Sequence, residues 1–140
     1  MKAIRRCGLV LGLVLAVSAA EAQSQDDYLN LELNSLMQVE NGCRATFIVV
    51  NSLGVKLDRT AIEIGVFDEK NVFSQMVVFD LGRLPQGKTK VVQYDLPRSC
   101  TTISRLLLNS VKECTGGGDI AAQCEDKIRT RNNTAIEFGQ

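Results

Sequence analysis

FDLGRLPQGKTKVVQYDLPRSC, residues 79–100, is the stretch that decides the fold class. Val92, Tyr94 and Leu96 alternate with Val91, Gln93 and Asp95, the period of two that gives a strand one apolar face. Ahead of them, Leu84-Pro85-Gln86-Gly87-Lys88 has turn chemistry, because proline pre-sets φ and glycine accepts a positive one. Phe79-Asp80-Leu81 closes a preceding strand, and Cys100 offers a covalent tie at the far end. A lone hairpin cannot bury its apolar face, so neighbouring strands must cover it.

Those neighbours are legible on both sides. Leu29, Leu31 and Leu33 alternate with Asn30, Glu32 and Asn34, and the alternation breaks at Ser35-Leu36, as a bulge would break it. Glu40-Asn41-Gly42 reads as a hairpin turn with positive φ at Asn-Gly. A second strand covers residues 43–51, with Cys43, Ala45, Phe47 and Val49 on one face. Ile48 and Val50 make its other face apolar too, which predicts a central strand. Ile62, Ile64 and Val66 mark a third strand, residues 72–81 a fourth, 88–96 a fifth and 134–138 a short last one.

Residues 101–113 are ambiguous. Ile103, Leu106, Leu107, Ser110 and Val111 fall at helical spacing. Leu106-Leu107-Leu108 and the β-branched lead-in Thr101-Thr102-Ile103 suit a buried strand. The strand is favoured because the series otherwise lacks its sixth member. About seven short strands separated by turns predict an all-β fold, an antiparallel immunoglobulin-like β-sandwich. The tryptophan of an antibody domain is absent, so this expectation concerns architecture.

The N-terminal residues read differently. Lys2, Arg5 and Arg6 precede an uncharged run from Gly8 to Ala20, and Ala20-Glu21-Ala22 has the small-x-small pattern of a cleavage site. Residues 1–22 are therefore expected to be a signal peptide and residues 23–140 a single domain in the periplasm or outside the cell. Arg5-Arg6 leaves both the Sec and the twin-arginine routes open. Without Lys2, Arg5, Arg6 and Glu21, the 16 basic and 16 acidic residues become 13 and 15. So balanced a charge attracts neither nucleic acid nor, after cleavage, an anionic membrane.

Cys43, Cys100, Cys114 and Cys124 remain, an even number behind an export signal, which reads as two disulfides. Their separations of 57, 14 and 10 residues are unlike the close pairs of structural zinc sites, and the chain has no histidine. Cys100 and Cys114 bracket one element and would lie roughly 20 Å apart if it is helical, over 40 Å if extended. A disulfide needs less than about 7 Å. That removes Cys100–Cys114 and with it Cys43–Cys124. If successive strands alternate in direction, Cys43 and Cys100 begin strands that run the same way. The predicted pairing is Cys43–Cys100 and Cys114–Cys124, the second closed over Gly116-Gly117-Gly118.

Catalytic constellations are hard to find. Lacking histidine, the chain has no Ser-His-Asp or Cys-His set, and no C-x-x-C or phosphate-binding glycine motif. The acidic pairs Asp26-Asp27, Asp68-Glu69 and Glu125-Asp126 stand beside turns or a terminus, where solvated carboxylates are usual. Arg83, Lys88 and Lys90, and Lys127, Arg129 and Arg131, read first as charges guarding edge strands. No cofactor or metal is expected.

Leu31-Glu32-Leu33-Asn34, Gly42-Cys43-Arg44 and Asp80-Leu81-Gly82-Arg83-Leu84-Pro85-Gln86-Gly87 carry a resemblance, continued by Gln93-Tyr94-Asp95-Leu96 and Leu107-Leu108-Asn109-Ser110-Val111 up to Cys114. Over nearly all of residues 23–140 the chain resembles small exported proteobacterial proteins, the Tat pathway signal sequence domain family. The resemblance implies a bacterial origin and export, and no activity. The missing catalytic set, the disulfide-tied sandwich and its variable loops lead to the expected function, a non-catalytic domain that binds another macromolecule, with a protein as the partner expected. Phe67, Phe73 and Phe79 are candidates for an exposed patch if one strand face is uncovered. The alternative is a small carboxylate-dependent hydrolase or enzyme inhibitor, marked by a pocket where two carboxylates and an arginine converge.

Overall fold

The computed structural model describes residues 27–140. The expected signal segment, residues 1–22, lies outside the described residues, as does Asp26. Eight strands follow in order: β1 Leu29–Val39, β2 Gly42–Asn51, β3 Arg59–Phe67, β4 Phe73–Asp80, β5 Thr89–Leu96, β6 Arg105–Thr115, β7 Ile128–Asn132 and β8 Glu137–Gly139. A 3-10 turn, Cys100–Thr102, precedes β6, and one short helix, α1 Ala121–Lys127, precedes β7. Residues 105–115 are thus strand, as the series required.

The strands form two four-stranded sheets, β5-β2-β1-β7 and β4-β3-β6-β8, in a sandwich-like arrangement. One hydrophobic core joins them: Leu31, Leu33, Phe47 and Val49 from the first sheet, Ile62, Ile64, Leu106 and Leu108 from the second. The rings of Phe47 and Phe79 meet across the gap with centroids 5.6 Å apart, and Phe138 stands 5.7 Å from Phe47. Alternation places these side chains as the sequence indicates, and β2 is indeed an inner strand. In β1 the register steps from Leu33↔Phe47 to Ser35↔Thr46, so Asn34 is the extra residue of the expected bulge.

Three local expectations are corrected. The sheets are mixed: β1 pairs with β7, and β6 with β8, in parallel. After β6, α1 crosses between sheets at the end where β1 begins, so β7 leaves in the direction of β1. Residues 133–136 cross back where β6 begins, and β8 follows β6 in the same way. The strand expected at residues 134–138 is reduced to the three residues of β8, and β7, at Ile128–Asn132, is a strand that was not expected.

The third correction concerns Gly42. Val39 pairs with Gly42 across the two-residue turn Glu40-Asn41, and neither Asn41 nor Gly42 has positive φ. Glycine is needed at 42 because a Cβ there would stand 2.1 Å from the carbonyl oxygen of Leu96. In the turn before β5, by contrast, Gly82 and Gly87 do adopt φ of 66° and 67°.

Both disulfides pair as the geometry required. Cys43–Cys100 spans 4.7 Å between Cα atoms, and Cys114–Cys124 spans 6.5 Å. The second holds α1 against β6, because Cys124 is the buried residue of that helix. Seven residues are too few for an isolated helix to be stable. Asp119 accepts the amide of Ala121 at 3.0 Å, and Glu125 accepts the amide of Val111 at 3.0 Å, fastening both sides of it.

Candidate interaction surface

The outer face of the second sheet is built by β3, β4 and β6. Along β3, Ile62, Ile64 and Val66 point inward, which sends Glu63, Gly65 and Phe67 outward. Opposite them on β4 stand Val78, Met76 and Phe73, and on β6 Ser110, Leu107 and Arg105. The centre of this face is apolar. Phe73, Met76 and Val78 are 52%, 43% and 56% exposed.

The three candidate phenylalanines do not form one patch. The β3–β4 register shifts between Val66 and Phe67, leaving Ser74 as an extra residue in β4. That bulge turns Phe73 to the outer face, where its ring packs edge-on against Phe67 with centroids 5.9 Å apart. Phe79, beyond the bulge, keeps the inward phase and is buried against Phe47 and the stacked ring of Tyr94. Both outer rings border Gly65, with Phe67 Cε2 3.5 Å and Phe73 Cε2 3.8 Å from where a Cβ would stand. Arg105 completes the corner, its guanidinium 5.1 Å from the Phe67 ring centroid.

Polar groups rim this centre. Glu63 accepts Asn109 Nδ2 at 2.6 Å and lies 3.5 Å from the Lys112 ammonium. The Asn109 bond comes first and the lysine charge adds to it, holding the Glu63 carboxyl below its ordinary value. Arg105 stands 3.9 Å from Glu137. An apolar centre with a polar rim is the anatomy of a protein interface. Reading phenylalanines alone missed Met76, Val78 and Leu107. The available signal was that residues 72–79 carry apolar side chains on both parities with no charge among them.

Of the ionisable groups singled out by sequence, Asp68, Lys90, Glu125 and Arg129 have side-chain hydrogen-bond partners. Asp68 Oδ1 accepts the amides of Lys70 and Val72, both at 2.9 Å, and so closes the β3–β4 turn. Lys90 donates to the carbonyl of Leu81 at 2.6 Å, across to the other sheet. Arg129 and Arg131 project from β7, an edge strand, where charge opposes sheet-to-sheet pairing. No group of three or more metal-ligating side chains occurs among the described residues.

One surface depression gathers two carboxylates and an arginine: Glu40, Asp95 and Arg44 line about 200 Å³. Arg44 already bonds both oxygens of Asp95, at 2.7 and 2.8 Å. That bond holds the Asp95 carboxyl below its ordinary value, the opposite of what a general acid needs. A depression of about 320 Å³ beside β6 holds a single carboxylate, Glu125, bound to the Val111 amide. No helix among the described residues is long and apolar enough to cross a membrane. Comparison with protein-family models, with curated proteins and with solved structures finds no match to this chain.

Proposed function

We propose that the chain is an exported, non-catalytic immunoglobulin-like β-sandwich domain that holds a protein partner against the outer face of β3, β4 and β6. One observation carries this reading: Phe73, Met76 and Val78 stand together in solvent, beside Gly65, inside a polar rim. Apolar side chains so grouped lose contact with water only when something covers them. Two disulfides support an oxidising compartment, periplasmic or extracellular. The resemblance to exported proteobacterial proteins supports the same address, reached after cleavage at Ala22.

The hydrolase or inhibitor reading draws less support. Its best site, at Glu40, Arg44 and Asp95, is small for a ligand pocket and has its arginine paired to Asp95 through Nε and Nη2. The test is co-purification from periplasmic extract with wild-type protein and with Met76→Lys/Val78→Lys. Retention of a defined protein by the wild type and its loss in the variant is the expected result. Equal retention by both refutes this face, and a turnover that vanishes with Asp95→Asn refutes the non-catalytic reading.

A further inference from the structure

The four sheet edges are not alike. Lys90 and Asp95 stand on β5, Arg129 and Arg131 on β7, and Glu137 on the three residues of β8. Charges of this kind protect an edge from pairing with another strand. From Phe73 to Phe79, β4 carries none, and it exposes apolar side chains along most of that length.

We propose that β4 pairs antiparallel with β4 of a second copy of this chain, so that two four-stranded sheets run on as one. The proposal rests on the reading of this face as an interaction surface and names its partner. The backbone sets the register. Leu81 N donates to Thr60 O at 2.8 Å, and such bonds recur at every second residue of an antiparallel pair. Val77 and Phe79 therefore turn their amides toward β3, while Met76, Val78 and Asp80 turn theirs to the outer edge, where the Tyr94 hydroxyl also donates to the Asp80 carbonyl. Edge pairing must match residues of this second set with one another. A two-fold axis through Val77 does so, placing Met76 opposite Val78 and bringing the bulged Ser74 end of β4 beside Asp80 of the second copy.

Charge selects this register and this partner. Arg98 donates from Nη2 to Ser74 Oγ at 2.7 Å, which holds its guanidinium at one end of β4. At the other end stands exposed Asp80, with Oδ1 accepting the Gly82 amide at 2.8 Å. Neither Arg98 nor Asp80 has an ion-pair partner among the described residues. The two-fold brings each Arg98 to the Asp80 of the other copy, twice over. The apolar side chains meet like with like between those pairs. An isologous contact of this kind closes at two copies.

Sedimentation equilibrium on the oxidised, exported protein is the test, with circular dichroism to establish that each variant is folded. Wild type is expected to be dimeric at micromolar concentration. Asp80→Lys and Arg98→Glu should each weaken the dimer at least about tenfold, since each sets like charges against one another twice. The double variant Asp80→Lys/Arg98→Glu should restore it. Met76→Lys, on an exposed side chain, should leave a folded monomer. A wild type that stays monomeric, a dimer indifferent to all these variants, or no restoration in the double variant would overturn the proposal. A monomer that still retains an extract protein through Met76 and Val78 would overturn it while leaving the binding function standing.

Discussion

Gly42→Ala tests how β2 meets β5. The methyl would stand 2.1 Å from the Leu96 carbonyl oxygen and 3.1 Å from its carbon, closer than Cβ atoms tolerate. Relief requires the strands to part by about 1 Å, enough to forfeit much of the local dispersion attraction. The obstacle is backbone, so no rotamer change removes it. Retreat is also resisted, because the next pair is Cys43↔Leu96 and Cys43 is bonded to Cys100. A weakened ladder bond costs about 1 kcal/mol, and the overpacking itself about 2 kcal/mol. The expected loss is about 3 kcal/mol, which lowers the melting temperature by roughly 12 °C in a domain of this size. Gly54→Ala is the control. Gly54 has φ of +80° with nothing within 4 Å of a Cβ, so only left-handed backbone strain of about 1 kcal/mol applies. Guanidinium unfolding of the oxidised proteins, followed by circular dichroism, measures both. If Gly42→Ala stays within about 0.5 kcal/mol of wild type, or costs less than Gly54→Ala, close approach is not the reason for this glycine.

Three other substitutions probe the interior and the β4–β5 seam. Asn51 is fully buried and bonds Val55 O at 2.8 Å, Leu84 O at 2.9 Å and Leu53 N at 3.1 Å. Asn51→Ala should cost about 2–3 kcal/mol, as two loops lose their shared anchor, and a urea midpoint unchanged from wild type would contradict that role. Thr60 is buried with its Oγ1 unpartnered, so Thr60→Val should hold or raise stability by up to about 1 kcal/mol, and a clear loss in the same assay would reveal an unseen partner. Tyr94, half-buried and near Asp80, has its phenol pushed up from 10.0 to about 12 by burial first and the aspartate charge second. The folded state keeps the proton that the unfolded chain releases near pH 10, so stability should fall between about pH 10 and 12, by about 1 kcal/mol after discounting for exposure. Tyr94→Phe should flatten that decline, and identical pH profiles for the two proteins would refute the assignment.

Period-two alternation is enough to orient most of this core. Leu29, Leu31 and Leu33, then Cys43, Ala45, Phe47 and Val49, then Ile62, Ile64 and Val66, all point inward because a strand admits two faces and only one can be dry. The disulfide pairing was equally legible, since chain length within one element forbids Cys100–Cys114 and alternating strand direction puts Cys43 and Cys100 at one end. What residues 23–140 could not disclose in one dimension is whatever depends on a neighbour distant along the chain. The parallel placement of β7 and β8 follows from which end of the sandwich each crossover occupies. Gly42 reads as a turn glycine until Leu96, far along the chain, proves to fill the space beside it. The outer surface depends most on tertiary structure. One bulge at Ser74 parts Phe73 from Phe79, and sheet order alone makes β4, uncharged from Phe73 to Phe79, an edge. A bulge shifts facing by one residue, and edge position depends on which strands lie alongside, so local alternation records neither.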